Sequence, residues 1–298
     1  YEQPATDFPT DVRTMALQGD TLWIGALNGL YTYQLQNRKL SPLGTKRNGL
    51  PHNTIYSIIR TGDNQIYVGT YNGLCRYIAS NGKFEKIPLP VNSSQSNLFV
   101  NSLLEDTGRQ CIWIGTEGYL FQYFPSTGQM KQTEAFHNNS IKSLALDGNG
   151  YLLAGTDNGL YVYHNDVTPL QHIIHDSRNI QSLTNNIIWN IFADQEHNIW
   201  LGTDYGISLS RYNSALQFIP ISQITGTGDG NQFYSLFRDS KGFYWFGGTN
   251  GLIRFTDPAG DKHNAIWYRM GDKTYPLSHN RIRHIYEDKE QQLWIATD

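Results

Sequence analysis

A single string recurs along this chain and limits what it can fold into. Residues 22–33 read L-W-I-G-A-L-N-G-L-Y-T-Y, and the pattern returns as I-Y-V-G-T-Y-N-G-L-C-R-Y from Ile66, I-W-I-G-T-E-G-Y-L-F-Q-Y from Ile112 and L-L-A-G-T-D-N-G-L-Y-V-Y from Leu152. Further copies are I-W-L-G-T-D-Y-G-I from Ile199, Y-W-F-G-G-T-N-G-L-I-R-F from Tyr244 and L-W-I-A-T-D from Leu293. Their central residues are Gly25, Gly69, Gly115, Gly155, Gly202, Gly247 and Ala296, spaced by 44, 46, 40, 47, 45 and 49 residues. A strand-rich unit of that length points to a β-propeller or a solenoid, because one unit cannot bury its apolar face alone. Seven copies predict an all-β, seven-bladed β-propeller of four-stranded blades. Blades should start near Asp11, Thr54, Leu98, Ser140, Ile187, Gln232 and Arg281.

Within a unit, Asn28-Gly29, Asn72-Gly73, Asn158-Gly159 and Asn250-Gly251 sit between apolar runs. Asn-Gly supplies the two positive φ angles of a type I′ hairpin turn, so a type I′ turn is expected there. Glu117-Gly118-Tyr119 and Asp204-Tyr205-Gly206 depart from the pattern, and their turns are expected to differ. The first strand of most units ends in an acid, at Asp106, Asp147, Asp194, Asp239 and Asp288, placed to hydrogen-bond its own turn. Weaker stretches such as 83–89 and 215–221 supply the fourth strand. Trp23, Trp113, Trp200, Trp245 and Trp294 all stand two residues before the central position. A large ring at one place in every unit reads as core packed between sheets, with the neighbouring Gly permitting close approach. Trp189 and Trp267 fall outside this pattern.

The repeat assigns all 298 residues to one propeller domain. It breaks off inside the seventh copy, so the chain is expected to be a fragment of a longer protein. The seventh blade would carry its inner two strands, with residues 1–8 available to close the ring. No apolar run approaches the ~18–20 residues that cross a bilayer. A net charge of −3 gives no electrostatic footprint for nucleic acid, so none is expected as a partner. Cys75 and Cys111 are too few for a disulfide framework and read as two buried thiols.

The string N-x-I-x-x-I-x-x-D followed by I-W-[IL]-G-T-x-x-G-L-x-x-Y, clearest in residues 186–206 and 280–298, resembles the two-component regulator propeller repeat. Repeats of this kind are known mainly from periplasmic sensor regions of hybrid two-component systems in glycan-degrading bacteria. The resemblance implies a non-catalytic extracytoplasmic sensor domain that recognises an oligosaccharide and signals to a histidine kinase elsewhere in an inner-membrane-anchored parent. It also implies a second propeller and a β-sandwich domain of the same parent chain as partners, and a homodimer of the parent as a further assembly. The repeat motif is scaffold and transfers no binding residue.

Binding residues must lie where the repeats disagree. Asn53, Asn139, Asn186, Asn231 and Asn280 recur before the first strand and read as loop supports. Two residues on, the chain is uniformly apolar; three residues on, it carries Tyr56, Lys142, Trp189, Tyr234 and Arg283, and with a one-residue shortening in the first unit and a one-residue insertion in the third, Arg13 and Asn101 complete the set of seven. A position that is cationic, polar or aromatic by turns is not set by the scaffold. In a propeller these seven would ring one end of the central channel, where aromatic faces stack on sugars and Arg or Lys hold anionic oxygens. With three cations and no acids, that ring favours an acidic oligosaccharide. The hairpin tips add Asn28, Tyr71, Glu117, Asp157, Asp204, Tyr205 and Asn250 as rim candidates. The long connections 42–51, 165–185 and 257–280 are candidate partner surfaces, the last holding Trp267, Tyr268, Arg269 and Tyr275.

No catalytic constellation appears. His172-x-x-His175 is too small a set for zinc, and Asp147-Gly-Asn-Gly lacks the later ligands of a calcium loop, so no metal or cofactor is expected. A polysaccharide hydrolase or lyase would have to assemble acids from Glu117, Asp157 and Asp204. A protein-interaction scaffold is the other alternative.

Overall fold

The computed structural model of the chain describes residues 8–43, 48–90, 98–132, 139–164, 167–212, 219–220, 231–256 and 265–298. Blade one is β1 (Val12–Gln18), β2 (Thr21–Ala26), β3 (Gly29–Gln34) and β4 (Lys39–Leu43). Blade two is β5 (Ile55–Arg60), β6 (Ile66–Thr70), β7 (Gly73–Ile78) and β8 (Lys83–Ile87). Blade three is β9 (Val100–Asp106), β10 (Cys111–Thr116), β11 (Leu120–Phe124) and β12 (Gln129–Gln132). Blade four is β13 (Ile141–Leu146), β14 (Leu152–Thr156), β15 (Gly159–Tyr163) and β16 (Pro169–Ile173). Blade five is β17 (Ile188–Ala193), β18 (Ile199–Thr203), β19 (Gly206–Ser210) and β20 (Ile219–Pro220). Blade six is β21 (Phe233–Arg238), β22 (Tyr244–Gly248), β23 (Gly251–Phe255) and β24 (Ile266–Tyr268). A seventh sheet has two strands, β25 (Ile282–Glu287) and β26 (Leu293–Thr297).

The six full sheets are antiparallel meanders with strands in sequence order, the make-up of a propeller blade. Each first strand starts within two residues of its expected place. Two compact units are present, residues 1–141 and 142–298. First strands of successive blades pack together, β1 on β5 and β5 on β9 in the first unit, and β17 on β21 and β21 on β25 in the second. Residues 1–7, most of the segment expected to close the ring, lie outside the described residues.

The central Gly is explained by what stands where its Cβ would be. A Cβ on Gly25 would meet Ile55 Cγ2 of the next blade at 2.6 Å, and one on Gly247 would meet Ile282 Cγ2 at 2.6 Å. The apolar residue that begins each first strand thus occupies the space over the preceding blade's Gly. A polar tie accompanies it: Ser143 Oγ accepts from Ile191 N at 2.9 Å, Asn190 Oδ1 from Leu236 N at 3.3 Å and Ser235 Oγ from Ile285 N at 3.1 Å.

The indoles are held by the acids that end the first strands. Trp113, Trp200, Trp245 and Trp294 donate from Nε1 to Asp106, Asp194, Asp239 and Asp288 at 2.8–3.0 Å. The other carboxylate oxygen accepts turn N–H groups, as Asp239 Oδ1 does from Lys241 and Phe243. These acids therefore serve the turn, as expected, and also anchor the ring. In blade one Gln18 substitutes, accepting from Trp23 at 3.1 Å. Four of the five indoles are buried, but Trp294 is only partly so, because β26 has one neighbouring strand among the described residues where other second strands have two.

The hairpin turns correct the type I′ expectation. Gly73, Gly159 and Gly251 have φ of 100°, 93° and 113°, whereas none of the preceding Asn residues has positive φ. Only one left-handed residue is used, and Gly29 does not use even that. Thr supplies the reason in blades two and four: Thr70 Oγ1 accepts from Asn72 N at 3.1 Å and donates to Gly73 O at 2.9 Å, and Thr156 repeats both bonds. Asp204-Tyr205-Gly206 makes the same turn through Thr203, so its different sequence does not change its shape. Blade three keeps the Thr116–Tyr119 O bond but differs in placing its positive φ one residue earlier, on Gly118 at 83°.

Candidate functional site

Six of the seven variable residues share one backbone feature. Arg13, Tyr56, Asn101, Trp189, Tyr234 and Arg283 are each the extra residue of a β-bulge, skipped where the first strand pairs with the second. Lys142 holds the equivalent second place in β13. A bulged residue is left out of the ladder and its side chain is re-aimed, which frees its identity from sheet packing. All seven are partly buried, neither core nor fully exposed.

In the second unit, four of these residues form a continuous line. Lys142 Nζ lies 4.2 Å from the Trp189 ring centroid and 2.8 Å from Asp157 Oδ1. Trp189 meets Tyr234 edge-on, with centroids 5.2 Å apart and planes at 77°. The Arg283 guanidinium sits 4.7 Å over Tyr234 and bonds Asp298 through Nε at 2.6 Å. Arg281 joins the same carboxylate at 3.1 Å. Burial works against ionised Asp298, but its bonds and attraction to Arg283 and Arg281 hold its carboxyl below the usual range. Burial raises the Tyr234 phenol, with Arg283 opposing.

Beside this line Asp204 Oδ1 accepts from Trp189 Nε1 at 2.8 Å and from Gln232 Nε2 at 2.6 Å, while Gln232 Oε1 accepts from Tyr234 OH. The cations expected to stand alone are therefore matched: Lys142 by Asp157 and Arg283 by Asp298. The premise of a ring with three cations and no acids does not hold in this unit, because tip carboxylates reach the bulge side chains.

The first unit gathers a second group. Burial raises the Tyr56 phenol, with Arg13 opposing and Tyr71 and Glu117 reinforcing, so these three lie within electrostatic range of Tyr56. Phe99 stands between Tyr71 at 4.2 Å and Tyr56 at 5.9 Å, both edge-on. Asn101 instead donates to Ser140 Oγ at 2.8 Å.

Other expected residues are placed elsewhere. Asn28 is buried rather than at a rim, accepting from Thr10 N and donating to Phe8 O, both at 2.9 Å. Tyr205 is 55% exposed and Asn250 is exposed. Asn186, Asn231 and Asn280 accept from backbone N–H groups of His175, Asn250 and Met270, the expected loop support. His172 stacks on Tyr161 and bonds Asn158 O, and His175 bonds Leu183 O, so both imidazoles are committed to the fold. Cys75 and Cys111 are buried free thiols raised by burial. Trp267 and Tyr268 belong to β24, not to a loop, because Trp267 pairs with Ile253. They wall a groove of about 1070 Å³ whose other side includes Leu293 and Ile295 of β26. Residues 44–47, 165–166 and 257–264 of the long connections lie outside the described residues.

Four stretches, 49–72, 182–205, 227–250 and 276–298, match the family described as two component regulator propeller. These four stretches carry two-component regulator propeller repeats. The solved extracellular domain of the putative hybrid two component system BT4673 from B. thetaiotaomicron is 92% identical, with a TM-score of 0.68 over 100% of this chain and 40% of that one. Histidine kinase P4 of Formosa agariphila is 27% identical over a 273-residue alignment that covers 82% of this chain and 19% of that protein. The chain thus spans well under half the length of either relative. Virginiamycin B lyase from Staphylococcus aureus, 13% identical with a TM-score of 0.70 over 99% of this chain and 94% of that one, shares the fold alone.

Each matched regulator-propeller stretch starts four residues before the Asn that precedes the first strand and ends at the hairpin tip, so each contains a bulge residue, and 182–205 and 276–298 also contain its tip partner, Asp204 and Asp298. The regulator-propeller motif hid two things from a reading of types alone. Gln232 and Asp298 lie outside the variable position, although a spacing in the sequence points to Asp298. Lys142–Asp157, Trp189–Asp204 and Arg283–Asp298 are all fifteen residues apart, the distance from bulge to tip along one hairpin.

Proposed function

We propose that this chain is a non-catalytic sensor module that binds an oligosaccharide at its bulge residues. In this reading it stands outside the cytoplasm, in the periplasm, and reports occupancy to a histidine kinase elsewhere in the same parent protein. A second propeller and a β-sandwich domain of that parent would be its neighbours. The observation that carries this is Trp189. Four indoles are locked by strand-end acids and serve the sheets, whereas Trp189 sits on a bulge between Lys142 and Tyr234. Paired aromatic rings next to carboxylate, amide and hydroxyl groups are the chemistry that recognises a sugar ring and its hydroxyls. Kinship with the BT4673 extracellular domain and with a histidine kinase supports the sensor setting. The carboxylates Asp157, Asp204 and Asp298 are engaged in holding cations, an indole and an amide, which supports recognition over hydrolysis.

Calorimetric titration of the purified chain against an oligosaccharide panel tests the reading. The parent should bind a member without consuming it. Trp189→Ala should weaken that binding by about thirtyfold, as loss of a buried aromatic anchor does. Unchanged binding by folded Trp189→Ala and Arg283→Ala would move the site away from the bulges. Turnover of a glycan, lost on changing Glu117, Asp157 or Asp204, would make the chain an enzyme.

A further inference from the structure

The charges of the second unit's site close on themselves. Lys142, Arg281 and Arg283 are three cations, and Asp157, Asp204 and Asp298 are three carboxylates in the same set of contacts. Each cation already has a carboxylate within 3.1 Å. An anionic sugar would have to displace one of these partners or approach it against its charge, and a site without net charge offers no compensating field. A hydroxyl-bearing ligand meets a different surface. The Trp189 and Gln232 donors converge on Asp204 Oδ1, and among the described residues no hydrogen bond reaches Asp204 Oδ2. A carboxylate oxygen oriented by two donors is a strong acceptor for a hydroxyl, and charge-assisted bonds of this kind are about twice as strong as neutral ones.

From this arrangement we infer that the ligand is an uncharged, hydroxyl-rich oligosaccharide, with a sugar hydroxyl donating to Asp204 Oδ2 beside the Trp189–Tyr234 pair. This rests on the carbohydrate reading above and replaces the acidic preference drawn from unpaired cations. Discrimination comes from the tip acids: they neutralise the cations that would otherwise recruit uronates or sulfates.

The test is calorimetry of the whole chain with neutral gluco-, manno-, xylo- and galacto-oligosaccharides beside oligogalacturonides and a sulfated glycosaminoglycan oligosaccharide. A neutral member should bind, with affinity constant within about twofold between low and high salt, since no net charge is screened. Asp204→Asn should weaken it by about tenfold or more. Asp157→Asn, which leaves Lys142 without that carboxylate, should bring in measurable affinity for the acidic members. Salt-sensitive binding of acidic members alone by the parent, lost in Trp189→Ala, overturns the neutral preference and leaves the carbohydrate reading standing. Binding of no member overturns both.

Discussion

Asp239 shows how much one side chain can hold. Its carboxylate accepts two turn N–H groups and the Trp245 indole, all at 2.8–3.1 Å and all at a buried site. Asp239→Ala leaves those donors unpaired, at about 1–3 kcal/mol for each buried donor. It should lower the urea midpoint more than Asp147→Ala, whose carboxylate serves turn N–H groups in a blade that has Leu153 in place of the indole. Equal losses would show that the indole bond contributes nothing. His284 gives a pH-dependent counterpart. Its Nδ1 is buried without a hydrogen-bond partner, and burial pushes the imidazole down to about 4 from 6.5. The folded value lies below the unfolded one, so the unfolded chain takes up the proton first as pH falls. Stability should be full above pH 6.5 and drain away toward pH 4. Denaturant melts at neutral pH and near pH 4.5 should show a larger acid loss for the parent than for His284→Gln. An equal loss would place the acid sensitivity elsewhere.

At the scale of the strand, the repeat encodes contacts between successive blades. A Cβ on Gly247 would come within 2.6 Å of Ile282 Cγ2 and 2.9 Å of Ile282 Cβ, both on the first strand of the following sheet. Gly247→Ala should therefore destabilise by about 1–3 kcal/mol through overpacking. The loss should shrink when Ile282→Val removes bulk from the same contact, because touching sites do not add. Full additivity by chemical denaturation would contradict the packing account. Strand positions and the blade unit were legible in the sequence because the apolar period and the Trp-x-Gly string recur wherever a sheet must stack. The turn type was not, since the Thr hydroxyl that holds Asn72 at negative φ is invisible to an Asn-Gly rule. Nor were the bulges. They appear in sequence only as a place where identity stops repeating, and that irregularity picked out Trp189 and Tyr234 without showing the ladder slip behind it. The pairing of the cations was hidden for a related reason. Asp157 and Asp298 lie fifteen residues beyond Lys142 and Arg283, and only the folded hairpin brings them together.

Across the whole molecule, two kinds of tryptophan divide the work. Trp113, Trp200, Trp245 and Trp294 are bonded to strand-end acids and belong to the sheets, while Trp189 is bonded to the tip acid Asp204 and lies at the proposed site. Trp267 stands apart on β24, under the Arg269 guanidinium at 4.3 Å and on the wall of the groove beside β26. Indole N–H resonances, assigned by single Trp→Phe substitutions, report on these places separately during one oligosaccharide titration. Recognition at the bulges predicts that the Trp189 signal moves in a saturable way while the four acid-bound indoles and Trp267 keep their positions. Movement of Trp267 with a stationary Trp189 would contradict it, and would put recognition in the groove along the outer strand of blade six.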